Sequence, residues 1–230
     1  MVRHSLGRVK RNFLRWGTFT VGIMVMSMGI ALMIRADLGA APWDVFHIGL
    51  MMNLGMTVGS WSIIVGTVII GTSALLDRRL PQLGSILNMV FVGVFIDLFL
   101  LAISTPAHLS LQIAMLLMGV LIMGVGIGVY IAPNCGAGPR DMLMLSIANR
   151  TGMPVGRVRL LMEITVLLCG WTLGGPVFIG TIIFSLTIGP VVGYTLPFCR
   201  RLFNAWIERG TRNEDLDKRA VRTYHHDRVS

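Results

Sequence analysis

Apolar positions along the chain run in long blocks, separated by short polar or Gly/Pro-rich breaks. The long blocks lie at about 17–35, 58–76, 83–104, 111–132, 155–173 and 176–198. Each is close to the roughly 20 apolar residues a helix needs to cross a lipid core. Two shorter blocks, 42–53 and 139–150, follow Gly/Pro-rich breaks. A helix of that length reaches only about 18 Å, at ~1.5 Å per residue, against a hydrocarbon core of ~30 Å. Such segments are expected to enter and return, or to lie buried between other helices, because interrupted backbone at membrane depth must be shielded from lipid. The pattern predicts an all-α membrane protein: a polytopic helical bundle of about six full spans plus two short re-entrant helices.

The blocks repeat. A shift of 97 residues carries Gly22 onto Gly119, Gly29 onto Gly126 and Ile30 onto Ile127. The same shift carries Gly39-Ala40-Ala41-Pro42-Trp43-Asp44 onto Gly136-Ala137-Gly138-Pro139-Arg140-Asp141, and Gly55-Met56-Thr57-Val58-Gly59 onto Gly152-Met153-Pro154-Val155-Gly156. After a single deletion Gly84 meets Gly180 and Gly93 meets Gly189. Apolar segments match by chance at Leu, Ile and Val; joint matches of Gly, Pro and Asp mark a duplication. The expected organisation is a basic N-terminal tail (1–16), a first repeat (17–104), a second repeat (111–198) and a polar C-terminal tail (199–230).

Composition agrees with a membrane chain. Charged residues make up 13% and mean hydropathy is +0.73, where soluble domains carry roughly 25% charge. The net charge of +9 invites a nucleic-acid reading. Its distribution argues against one, since basic residues crowd the two ends: Arg3, Arg8, Lys10, Arg11 and Arg15 at one, and the stretch from Arg200 at the other. Basic tails beside apolar spans set topology and favour anionic lipid. The basic start and apolar run could pass for a signal peptide, with Gly39-Ala40-Ala41 as cleavage site, but the same segment recurs internally.

Charge also fixes the expected topology. With re-entrant short helices and a cytosolic N-terminus, Arg78, Arg79, Arg140, Arg150, Arg157, Arg159 and both tails fall inside and only Arg35 falls outside. If the short segments crossed, Arg35, Arg78, Arg79 and Arg140 would all face out. Three spans per repeat is an odd number, so the two repeats are expected to be inverted in the membrane, an arrangement that with a broken helix is characteristic of transporters.

The paired motif is G-A-[AG]-P-x-D. Proline suits the first helical turn, and the glycines before it permit a sharp bend and close backbone approach. Asp44 and Asp141 then sit in first turns, at the positive ends of the helix dipoles. They either cap spare N–H groups or, where two half-helix tips meet in mid-membrane, help form a site for an anion, a cation or a proton. The candidate substrate or ion site is therefore Gly39, Pro42, Asp44 and His47 with Gly136, Pro139, Asp141 and Glu163.

These residues, with Met153-Pro154-Val155-Gly156, also carry a resemblance. Over most of residues 15–200 the chain resembles the bacterial YczE/YitT-type group of integral membrane proteins, and the YczE branch most. The resemblance implies a bacterial inner-membrane location, and no settled substrate.

Other side chains have simpler expectations beside functional ones. Glu163, costly inside a span, is expected to pair with Arg159 one turn away or to line a path as a protonatable group. Asp97 reads as an interfacial carboxylate, His47 as a buried histidine or a relay partner of Asp44, and Arg140 as a topogenic charge or an anion-attracting one. Arg35 and Asp37 are expected to neutralise each other. His225 and His226 read as part of a solvated tail. Cys135, Cys169 and Cys199 show no metal-binding spacing, and the methionines read as adaptable packing. No P-loop, nucleophile elbow or HExxH occurs. The expectation is a protein that is not an enzyme, with no cofactor, no metal and no nucleic-acid partner. It is embedded in a lipid bilayer with both termini cytosolic, and a homo-oligomer is left open. The favoured function is a secondary transporter or channel for an unidentified small solute or ion. The alternative is a non-transporting regulator or scaffold for a partner protein.

Overall fold

The computed structural model describes residues 2–78, 80–136 and 138–226, with side chains at 9 and over 11–78, 80–136 and 138–207. Arg79 and Ala137, and the side chains of Arg3, Arg8, Lys10, His225 and His226, for which the sequence pattern suggests roles, lie outside what is described. Among the described residues the secondary structure is helical: α1 (Val2–Arg35), α2 (Pro42–Leu54), α3 (Val58–Asp77), α4 (Leu83–Ala102), α5 (Leu109–Ile131), α6 (Pro139–Thr151), α7 (Val155–Thr172) and α8 (Ile179–His226).

Local sequence sets the ends of the short helices alike. Pro42 and Pro139 each open the first turn, after an extended Ala41 (φ −63°, ψ 151°) and Gly138 (φ −62°, ψ 160°). A residue before proline is driven out of the helical region by its clash with the ring. Gly55 (φ 72°) and Gly152 (φ 70°) end the helices with positive φ, a conformation glycine adopts without a steric penalty.

Among the described residues, five helical segments are long and apolar enough to cross a membrane: Arg11–Arg35, Val58–Asp77, Leu83–Ala102, Leu109–Ile131 and Ile179–Ile207. Exposed apolar side chains such as Leu75, Leu101, Val68 and Leu186 suit contact with lipid. The remaining expected span is α7. It has 18 residues, and Arg157, Arg159 and Glu163 in its first half set it apart from the other five. The helices run on past the bounds that the sequence pattern set for the spans. Helix α1 begins at Val2, and α8 continues through Pro190 and Pro197 to His226, so no backbone break separates 198 from 199.

The core centres on α1 against α5, with Ile23, Ile30, Met33, Leu116, Val120 and Met123 buried between them and their neighbours. Glycines set this crossing. A Cβ on Gly22 would fall 2.3 Å from the Tyr130 nitrogen, and one on Gly29 2.4 Å from that of Met123. From the other side, a Cβ on Gly126 would fall 2.3 Å from the Met26 nitrogen, and one on Gly119 2.8 Å from the Met33 side chain. Partner numbers fall as glycine numbers rise, so α1 and α5 run antiparallel. Each contact also has its counterpart with the two halves exchanged: Met26 and Met123 are equivalent positions, as are Met33 and Tyr130.

Other contacts show the same exchange. Gly84 packs on Cys135 and Gly136, and its equivalent Gly180 packs on Leu38 and Gly39. Helix α2 packs against α7, and α6 against α3. The last turn of α2 is latched by Asn53 Nδ2 donating to the Leu173 carbonyl at 2.7 Å. The last turn of α6 is latched by Arg150 Nη2 donating to the Leu76 carbonyl at 2.8 Å. Arg150 is the equivalent of Asn53, and Leu76 of Leu173. Each short helix is thus pinned to a long helix of the other half.

Candidate functional site

The two short helices bring their first turns together at a cavity of about 160 Å³ to which every helix contributes. The meeting point is between equivalent residues: the Arg140 guanidinium lies over the Trp43 ring, 4.7 Å from its centroid. Of the sequence-predicted residues, Pro42, His47, Pro139, Asp141 and Glu163 line the cavity. Gly39, Gly136 and Asp44 do not. Gly39 (φ 106°) instead packs on the start of α8, where a Cβ would fall 2.9 Å from Thr181 Oγ1. Gly136 packs on the start of α4, where a Cβ would fall 3.0 Å from the Gly84 Cα.

The two aspartates differ. Asp44 is fully buried, and neither carboxylate oxygen has a hydrogen-bond partner among the described residues. His47 Nδ1 stands 4.0 Å from its Oδ1, too far for a hydrogen bond. Asp141 has a partner in the Tyr130 hydroxyl. Asn88 Oδ1, Tyr130 Oη and Asp141 Oδ2 converge on Gly138, at 3.4, 3.5 and 3.7 Å from where its Cβ would stand. All three are ordinary contact distances, so an alanine would fit there, as Ala41 does at the equivalent place before α2.

A capping carboxylate does occur, at another place. Asp97 accepts from Thr57 Oγ1 at 2.6 Å and from the Gly59 amide at 2.8 Å, and so closes the first turn of α3. The interfacial carboxylate of the sequence reading is a cross-helix cap. Glu163 pairs with Arg159 at 3.1 Å, as the i,i+4 spacing predicts. Arg35 departs from expectation: its guanidinium donates to the Leu100 carbonyl, and no ion pair to Asp37 is found among the described residues. The α4 carbonyl at the end of the bundle is nearer to hand than the Asp37 carboxylate, which sits beyond the helix with positive φ.

Sequence reasoning missed Asn88 and Tyr130, and weighed Arg140 as a topogenic or anion-attracting charge without including it among the candidate site residues. Asn88 had a usable signal: an amide inside an apolar span needs an explanation. Its Nδ2 is buried without a partner among the described residues, and the side chain lines the cavity. His47 is in the same condition at both ring nitrogens. The methionines gather here as well, with Met26, Met89, Met123, Met144 and Met162 forming much of the apolar wall.

Helices of this length and apolarity around a cavity lined by polar groups define a polytopic helical membrane protein. A family model, "Family of unknown function (DUF6198)", matches residues 13–197, and the chain belongs to that family. It is 40% identical to the uncharacterized membrane protein YczE of Bacillus subtilis (strain 168), over 86% of this chain and 93% of that protein. It is 32% identical to an uncharacterized protein of Haemophilus influenzae, over 78% and 82% of the two chains. It is 28% identical to the uncharacterized protein YyaS of Bacillus subtilis, over 84% and 97%. The YczE-like resemblance read from the paired motif therefore holds. No solved structure matches the chain.

Proposed function

We propose that this protein is a secondary transporter or channel for a small solute or ion in the bacterial inner membrane. In this reading it has six spans, two inverted repeats and cytosolic termini. The observation that carries it is the meeting of equivalent helix tips, Trp43 beneath Arg140, at a cavity lined from both halves. Inverted repeats with interrupted helices at a central site are a transporter architecture. The antiparallel α1–α5 pair and the exchanged contacts support the inversion. Helix α7 counts as a span because its charges lie near one end, Glu163 is paired, and the turns from Ile164 onward are largely apolar.

The mechanism is alternating access. Helices α3 and α4 are closed on each other through Gly59 and Gly93, while α7 and α8 form no comparable seam. The equivalents Gly156 and Gly189 have open space where a side chain would stand. In the second state α7 closes on α8 as α3 and α4 part. Solid-supported-membrane recordings on reconstituted protein test this, with a panel of inorganic ions, organic acids, amines and amino acids. Wild type is expected to pass current with at least one of them, and the Asp44→Asn/Asp141→Asn variant, inserted at equal yield, to pass at least tenfold less. No current from any of them, or an unchanged current in the double variant, refutes the reading.

A further inference from the structure

We infer that the cavity binds a small organic anion, a monocarboxylate with an apolar body of about benzene size, through Arg140. This rests on the cavity being the site of the transport reading. The argument is a count of which lining groups are already committed. The lining carboxylates have partners: Asp141 has Tyr130, and Glu163 has Arg159. Among the described residues, the lining groups left without a hydrogen bond are donors or can donate. Arg140 lies over Trp43 and has no ion pair within 4.0 Å, although Asp44, Asp141 and Glu163 act on it electrostatically; Asn88 Nδ2 is buried and unbonded, and so is the His47 ring. Asp44, the carboxylate left unpaired, is outside the lining.

A guanidinium over an aromatic ring and without a hydrogen bond among the described residues has N–H groups to offer, and a pair of them matches a carboxylate with two parallel hydrogen bonds. Asn88 supplies a further donor from α4. An inorganic anion would leave the rest of the wall unused. That wall is Met26, Met89, Met123 and Phe184 beside the Trp43 ring, and thioethers adapt to irregular apolar shapes. Size limits the body: a cavity of roughly 150 Å³ takes benzene, and this one is about 160 Å³.

Benzoate is the probe, with benzamide and benzylammonium as neutral and cationic counterparts. Binding to the full-length protein is measured by microscale thermophoresis, first in detergent and then in phosphatidylglycerol nanodiscs. We expect saturable benzoate binding in both, at least tenfold tighter than either counterpart. Arg140→Gln should weaken it at least tenfold, Arg140→Lys by less, and Asn88→Ala several-fold, so that a folding failure of one variant leaves the others to decide. Equal binding of benzamide, tighter binding of benzylammonium, or unchanged binding in Asn88→Ala and Arg140→Lys overturns the inference. Loss of binding in nanodiscs alone also overturns it and assigns Arg140 to a lipid phosphate. Because no flux is measured, the outcomes separate. Benzoate binding without any current removes the transport reading and keeps the ligand class; current carried by a cation without benzoate binding does the reverse.

Discussion

The α3–α4 pair of the first half and the α7–α8 pair of the second occupy matching places when the sequence is shifted onto itself, yet only one is zipped. A Cβ on Gly59 would fall 2.1 Å from the Gly93 carbonyl, and one on Gly93 2.5 Å from the Gly59 carbonyl. Asp97 fastens the same seam by accepting from Thr57 and Gly59. On the other side Gly156, Gly189 and Gly193 meet nothing within 4 Å, and Gly193 stands where the first half has Asp97. Small residues let helices approach closely in lipid, but they do not oblige them to. The difference teaches that the glycines provide the option of closure, and that the carboxylate makes closure the resting condition on one side.

Substitutions can break this comparison, the largest effect coming first. Gly59→Leu places a side chain against backbone that cannot move aside, and overpacking of this kind typically costs about 3 kcal/mol. Thermal unfolding in detergent should show a large fall in midpoint or no folded protein; a wild-type midpoint would mean the seam is not packed as described. Its equivalent, Gly156→Leu, has room and should unfold like wild type within roughly 0.5 kcal/mol. On the alternating-access reading it nevertheless blocks closure and lowers flux at least tenfold, so retained flux would detach the α7–α8 gap from transport.

Asp97→Ala removes two hydrogen bonds to a charged acceptor and should cost about 2 kcal/mol, measured by the same unfolding. A negligible change would make the seam glycine-held alone. Smallest is Glu163→Gln. The Arg159 side chain is 55% exposed and that of Glu163 30%, and pairs of this kind contribute roughly 0.5 kcal/mol or less. Stability should not change measurably. Arg159 is released toward the cavity, so benzoate affinity should rise by a few-fold, and a fall would place Glu163 in the ligand site itself.

Much of this was legible in the sequence, because proline and glycine act locally. Pro42 and Pro139 open their helices where the repeat places them, and Gly55 and Gly152 end them. The Arg159–Glu163 pair lies within one helix and needs only spacing to be foreseen. What was not legible depends on contacts across the bundle. The repeat aligns Trp43 with Arg140 but does not say that the two would touch. Asp44 and Asp141 look alike in the motif, and only the tertiary fold buries one without a partner and sets the other beside Tyr130. Asp97 looked like an interfacial carboxylate because the donors it accepts from, Thr57 and Gly59, sit at the start of another helix. Arg35 was assigned to its sequence neighbour Asp37 for the same reason and found a carbonyl of α4.

The antiparallel crossing of α1 and α5 has a mechanical consequence. At Gly22, Gly29, Gly119 and Gly126 backbone rests on or near backbone, which fixes the separation of the two helices at four points along their crossing. On the alternating-access reading this pair is the axle: a label on α1 should hold its distance to one on α5 while labels on α7 and α8 draw together.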